Sequence, residues 1–149
     1  MMTTLVPDSL APFRTLDEML AEAMPTIARH AARHDAEGTF VEEAYAALKS
    51  AGFLAAAVPL ELGGGGAGLP EMAWAHHDLA LACGSTSLAA SMHSHSVVTL
   101  AWRYRRGAPV DKTLRRVAAE NLVLVSTGGS DHVRPSAVAR PAEGGLVVS

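Results

Sequence analysis

The chain has 149 residues, enough for one ordinary domain with a hydrophobic core, and its 49% apolar content excludes a chain that is disordered by composition. A formal charge of −3 gives no electrostatic case for nucleic acid, and a single cysteine excludes an internal disulfide framework or a multi-cysteine metal site. No apolar run approaches the roughly 20 residues needed to cross a bilayer, and no basic region followed by an apolar stretch opens the chain, so a cytoplasmic location is the expectation.

Aromatics are only 5% and alanine is abundant, which leans the chain toward helix, because alanine loses no side-chain entropy there. Residues 1–12 carry Pro7 and Pro12 without periodicity and read as a flexible tail. From Phe13 to Ala36 the apolar residues Phe13, Leu16, Leu20, Met24, Ile27 and Ala31 recur at helical spacing. Pro25 inside that stretch predicts a kink or a division into two helices. Thr39-Phe40-Val41-Glu42 reads as a capping box for a second helix that ends at Gly52. Residues 53–69 form a long connection ending in a glycine run, and Pro70 suits the first turn of a helix that stops near Gly84. Ser85 or Thr86 is expected to cap the next helix, running to Arg106 with three arginines in its last turn. A shorter helix from about Pro109 to Glu120 completes the helical part.

The period then changes. Residues 122–126 and 136–140 read as short strands, 141–145 as turn chemistry, and 146–149 as a third strand. A hairpin interrupted within its second arm leaves edges with no sheet to join, and predicts a fragment that associates when expressed by itself.

Four local patterns suggest chemistry and are better explained otherwise. Gly63, Gly65 and Gly68 match G-x-G-x-x-G, but Pro59 and Glu61 interrupt the strand that a dinucleotide site needs, and the acid about 20 residues on is missing; the run reads as an exposed, flexible turn. His76-His77 and His93-Ser94-His95 do not share a helical face, so no metal site is expected. Gly129-Ser130-Asp131-His132 holds hydrolase residue types as sequence neighbours, which cannot generally form a relay, and the nucleophile elbow is absent. Arg103, Arg105, Arg106, Lys112, Arg115 and Arg116 form a basic cluster that reads as a solvated helix end.

Taken together and in order, several segments resemble the acyl-CoA dehydrogenase family. Leu48-Lys49-Ser50-Ala51-Gly52-Phe53 matches the end of a family helix. Val58-Pro59-Leu60-Glu61-Leu62-Gly63-Gly64, followed by Gly66-Ala67-Gly68, looks like the family's V-P-x-x-x-G-G-x-G pattern. The segment from Arg33 to Phe40 resembles the stretch before that helix. Val125-Ser126-Thr127-Gly128-Gly129-Ser130-Asp131 sits where the family has a T-E-P-x-x-G-S-D loop, and Glu143-Gly144-Gly145-Leu146-Val147-Val148 matches its hairpin turn. The loop here is shorter and lacks the Glu and Pro, as in divergent members that include flavin-dependent monooxygenases.

The resemblance implies a mainly α fold: a helical N-terminal domain over residues 13–121, then the truncated beginning of a flavin-binding β domain over 122–149. It implies FAD as cofactor, held in part by Val125, Ser126, Thr127, Gly129 and Ser130, and a homo-oligomer when complete. The implied activity is α,β-dehydrogenation of an acyl-CoA thioester by a chain that is inactive as a fragment, since no residue here is assigned as the catalytic base. The alternatives are a flavin-dependent monooxygenase of the same fold, or a non-catalytic helical interaction module.

Overall fold

The structure is a computed structural model, and it describes residues 14–125 and 137–148. Five helices, α1 (Leu16–Glu37), α2 (Glu42–Ala51), α3 (Leu69–Ala82), α4 (Gly84–Tyr104) and α5 (Asp111–Glu120), are followed by a two-stranded hairpin, β1 (Ala139–Ala142) and β2 (Gly145–Val148). The fold is mainly α, as expected.

Helix α1 is opened by a reciprocal capping box. The Glu18 amide donates to Thr15 Oγ1 at 3.2 Å, and the Thr15 amide donates to Glu18 Oε2 at 2.8 Å. Helix α1 continues through Pro25 as one helix, so of the two expected outcomes, a kink or a division into two helices, the division does not occur. Pro25 and Ala21 both lie on the exposed face, so the carbonyl of Ala21 that loses its donor is turned toward water rather than core. Met19, Leu20, Ala23 and Ile27 line the opposite, buried face.

The capping box expected at Thr39 does not form, because Thr39 belongs to the end of α1. Gly38 takes the left-handed conformation (φ 62°), the Thr39 amide donates back to the His34 carbonyl, and the Thr39 hydroxyl meets His34 Nδ1 at 2.7 Å. Val41 occupies the N-cap of α2, with no side-chain cap. Gly52 ends α2 in the left-handed region, as its position predicts.

The connection between α2 and α3 is neither exposed nor loose. Phe53, Leu54, Ala56, Ala57, Val58 and Leu62 are buried within it, and it contains two 3-10 turns, Phe53–Ala55 and Leu60–Leu62. The glycine run then folds back on this segment. The amides of Gly64, Gly65, Gly66 and Ala67 donate to the carbonyls of Pro59, Ala55, Val58 and Ala56 at 2.8–3.2 Å. Gly64 is buried and Gly65 to Gly68 are half-buried, which corrects the expectation of an exposed, flexible turn. The reason is steric: a glycine backbone can approach another backbone where a Cβ would collide.

Pro70 lies in the first turn of α3, as expected. The N-cap of α4 is Cys83, whose Sγ accepts from the Thr86 amide at 3.5 Å, rather than Ser85 or Thr86. Helix α4 stops at Tyr104, so only Arg103 of the three arginines lies in its last turn. Helix α5 closes on Asn121 in the left-handed region (φ 52°).

Residues 122–125, expected as the start of a strand, pair with no strand among the described residues. Their alternation survives in another form: Leu122 and Leu124 pack on the helical core while Val125 points out. The hairpin pairs Ala139 with Val148 and Ala142 with Gly145 across a two-residue turn, Glu143-Gly144. The turn falls inside the residues 141–145 that turn chemistry predicts, while β1 runs two residues further than expected, with Pro141 inside it opposite Leu146. Proline is tolerated there because, among the described residues, β1 pairs only with β2 and its other edge has no strand beside it.

The packed glycine run makes a stability prediction. A Cβ on Gly64 would meet Val58 and lie 2.6 Å from the Ala55 carbonyl oxygen, whereas a Cβ on Gly84 meets nothing within 4 Å. Gly64→Ala is expected to destabilise the fold by about 1–3 kcal/mol or more, and Gly84→Ala to be neutral or mildly stabilising. Urea denaturation of both variants checks this, and equal midpoints would contradict the packing described.

Candidate functional site

The polar groups that sequence reading proposed for chemistry fall into separate places. The amides of Gly63 to Ala67 are consumed by backbone carbonyls, so those five are not free to cradle a phosphate. Among the described residues no three of His, Cys, Asp or Glu gather as metal ligands. His77 pairs with the adjacent Asp78 at 3.0 Å on the surface. Gly129-Ser130-Asp131-His132 lies outside the described residues, as do Ser126, Thr127, Gly129 and Ser130. Val125 is described and is 85% exposed. The basic cluster is a solvated surface in part built from local pairs: Arg106 stacks over Trp102 at 3.8 Å, and Arg116 makes a two-point contact with Glu120.

The histidines divide by burial. His34, buried at the end of α1, hydrogen-bonds Glu43 Oε2 at 2.6 Å on α2, and Arg33 pairs with the same carboxylate. The contact with His34 first, then Glu43's own backbone amide and Arg33, holds the Glu43 carboxyl down to about 2. This cluster joins the end of α1 to the start of α2.

His93 is the more informative residue. It sits midway along α4 and is 1% exposed. Its Nε2 lies 2.8 Å from the Leu54 carbonyl oxygen, and its Nδ1 lies 3.0 Å from the Leu124 amide nitrogen. A carbonyl only accepts and an amide only donates, so this pair of neighbours specifies the neutral imidazole with its proton on Nε2. Burial is the first cause holding the His93 imidazole below the ordinary histidine value, against a partial opposing effect of the Leu54 bond. His76 is edge-on to Phe53 and has both ring nitrogens buried without partners among the described atoms. Burial first and His93 second hold it low as well. The signal missed in the sequence is the role of His93: nothing in Met92-His93-Ser94 separates a core histidine bonded at both nitrogens from an exposed one.

Two grooves flank these helices. One of about 260 Å³ runs between α3 and α4 and is lined by Met72, His76, Ser94, His95 and Val98. A second of about 330 Å³ lies at the start of α3 and the end of α4, with Leu69, Val98, Trp102 and Arg105 on its walls. Both have apolar walls with few polar groups, the usual make-up of a small-molecule or domain-contact surface. No described helix is long and apolar enough to cross a membrane.

The chain matches the acyl-CoA dehydrogenase N-terminal domain family over residues 14–121. It is 38% identical over 97 residues, 64% of this chain, to L-evernosamine nitrososynthase of Micromonospora sp.. It is 31% identical over 145 residues, 93% of this chain, to amino sugar nitrososynthase RubN8 of Streptomyces rubradiris. These alignments cover 23% and 34% of the relatives, so the chain spans roughly a third of their length or less. No solved structure matches.

His93, buried, and His76, half-buried, set a pH dependence. Their folded values are depressed, so the folded state binds fewer protons than the unfolded state as pH falls. The stability they contribute is present above the ordinary histidine value of about 6.5 and is lost as pH falls through it. Thermal unfolding is expected to show Tm dropping between about pH 7.5 and 5.5, above the window in which Glu43 protonates. His93→Gln should flatten that slope; a Tm that rises toward pH 5.5 would contradict the assignment.

Proposed function

The chain belongs to the acyl-CoA dehydrogenase family through its N-terminal domain, and from that premise we propose that it is the N-terminal part of a flavin-dependent oxidoreductase acting on the amino group of an amino sugar. The observation that carries the substrate class is the alignment with the amino sugar nitrososynthase. It covers 93% of the chain and therefore includes residues 122–130 as well as the helices.

In this reading residues 13–121 are the helical domain and residues 122–149 begin the β domain that holds the flavin, FAD. The candidate flavin segment is Val125, Ser126, Thr127, Gly129 and Ser130. Its fit to a planar ring is supported by Val125, which turns apolar surface outward immediately after Leu124 packs on the core. Small residues let the backbone come close to a ring or phosphate. The hydroxyls of Ser126, Thr127 and Ser130 are donors for flavin or pyrophosphate oxygens. A bound flavin supplies the redox step; the chain's own residues orient it and exclude water from one side. The whole protein is a homo-oligomer that takes a small-molecule substrate and works in the cytoplasm.

A second reading, α,β-dehydrogenation of an acyl-CoA thioester, is supported by the family description itself. The two differ in what the whole protein consumes. With a reduced-flavin supply, dioxygen and a panel of amino sugars, the first reading expects a product whose amine has lost two hydrogens and gained one oxygen. Bleaching of bound flavin by an acyl-CoA without oxygen, with amino sugars untouched, would replace it by the second. The 149-residue chain alone is expected to turn over neither substrate with added FAD, because proximity of substrate and flavin is most of what such an enzyme supplies. Turnover by this chain alone would contradict that expectation.

A further inference from the structure

We propose that the groove between the start of α3 and the end of α4 is a binding site for a small amphiphilic anion: an apolar or aromatic ring that carries a phosphate or a carboxylate. The inference stands on the two helices alone and does not rest on the flavin reading above.

Val98, Trp102 and Arg105 follow one another along α4 at intervals of four and three residues, so they share one face of the helix. Arg105 keeps to that face because this C-cap residue retains helical dihedrals (φ −61°, ψ −13°). Leu69, the first residue of α3, stands on the other wall, and the space between is about 330 Å³. Small-molecule sites span roughly 300–1,000 Å³. Two large apolar side chains stay in water here, Leu69 at 65% and Trp102 at 56% exposure. Single exposed apolar residues are ordinary when scattered, but these two line the same concavity. The Arg106 guanidinium, stacked 3.8 Å from the Trp102 ring centroid, holds the indole in place as a wall.

Charge selects the occupant. Arg105 is the one charged residue on the groove walls, and it makes no ion pair with any described residue. A cation at this end complements the α4 dipole, but Arg103 already does so from outside the groove. From Arg103 to Glu120 six cations stand against two carboxylates, in a chain whose formal charge is −3. The local field therefore favours anions. A guanidinium meets a phosphate or carboxylate with paired donors. The indole and Leu69 take an apolar ring by stacking and burial, and the Thr99 hydroxyl offers one further hydrogen bond. A neutral ring gains nothing from Arg105, and a cation meets like charge.

The test titrates the whole protein with phenyl phosphate and with phenylacetate, followed by ligand-observed nuclear magnetic resonance. Inorganic phosphate and benzyl alcohol each supply one half of the proposed chemistry. Both ring anions are expected to bind with Kd on the order of a millimolar or tighter, and tighter than either half; the tighter of the two identifies the headgroup. Arg105→Gln should weaken both about fivefold to tenfold, and Trp102→Ala by a similar factor. Arg103→Gln, which removes the same charge from outside the groove, should change affinity by less than about twofold. All three side chains are exposed, so the fold is not at stake. Unchanged affinity in Arg105→Gln or Trp102→Ala overturns the proposal, as does benzyl alcohol binding as tightly as the ring anions. Equal loss in Arg103→Gln and Arg105→Gln means diffuse attraction to a basic surface and overturns the groove as the site. A whole protein that binds neither ring anion has this groove covered by its own remaining part, which also overturns the proposal.

Discussion

The helical body depends on the way residues 53–67 are folded onto themselves. A connection this long, placed inside a core, must satisfy its own backbone polar groups, because a buried amide without a partner costs about 1–3 kcal/mol. It does so by turning the glycine run back so that four successive amides meet carbonyls of the preceding turns. The close approach is open only to glycine at Gly64 and Gly65, where an added Cβ would lie 2.6 Å from the Ala55 carbonyl oxygen and 2.8 Å from that of Ala56. The resulting plug touches α1, α2 and α5, and its Leu54 carbonyl is the far anchor of His93. The same geometry that removes the run from phosphate chemistry makes it the base on which the exit toward residue 125 is built.

Much of the architecture was legible in the residues. Helical spacing located the elements, and Gly52 and Pro70 marked ends correctly, because each acts through its own backbone and needs no distant partner. The failures share the opposite property. Thr39 has the spacing to Glu42 of a capping box, but its hydroxyl is taken by His34 and its backbone by the end of α1. The capping box that does form, Thr15 with Glu18, has the same spacing and no competitor. Residues 122–125 carry a β-type run, yet the partner that the Leu124 amide finds is a histidine 31 residues away. In each case tertiary contact outweighed local preference.

The candidate site shows the same division. Composition and spacing argued against metal, nucleotide and hydrolase readings, and for the nucleotide motif the structure supplies the atomic reason in the occupied amides. The resemblance to the acyl-CoA dehydrogenase family, carried by ordered motifs from the helix end at Gly52 to the hairpin turn at Gly144, is matched by the family comparison over residues 14–121. What spacing could not reveal is the coupling of that helical body to the residues beyond it. His93 is a neutral, doubly bonded ring in the core, whereas the half-buried His76 ring beside Phe53 has no partner among the described atoms. A buried polar group that is fully satisfied fixes orientation at little cost, and here it fixes the direction of the Leu124 amide.

We propose that a flavin is held in part by the residues that follow Leu124. A crystal structure of the whole protein with bound FAD tests it most directly. The account predicts the flavin in contact with Val125, Ser126, Thr127, Gly129 or Ser130, with the Leu124 amide still bonded to His93. A flavin held elsewhere, with that segment facing solvent, would contradict it.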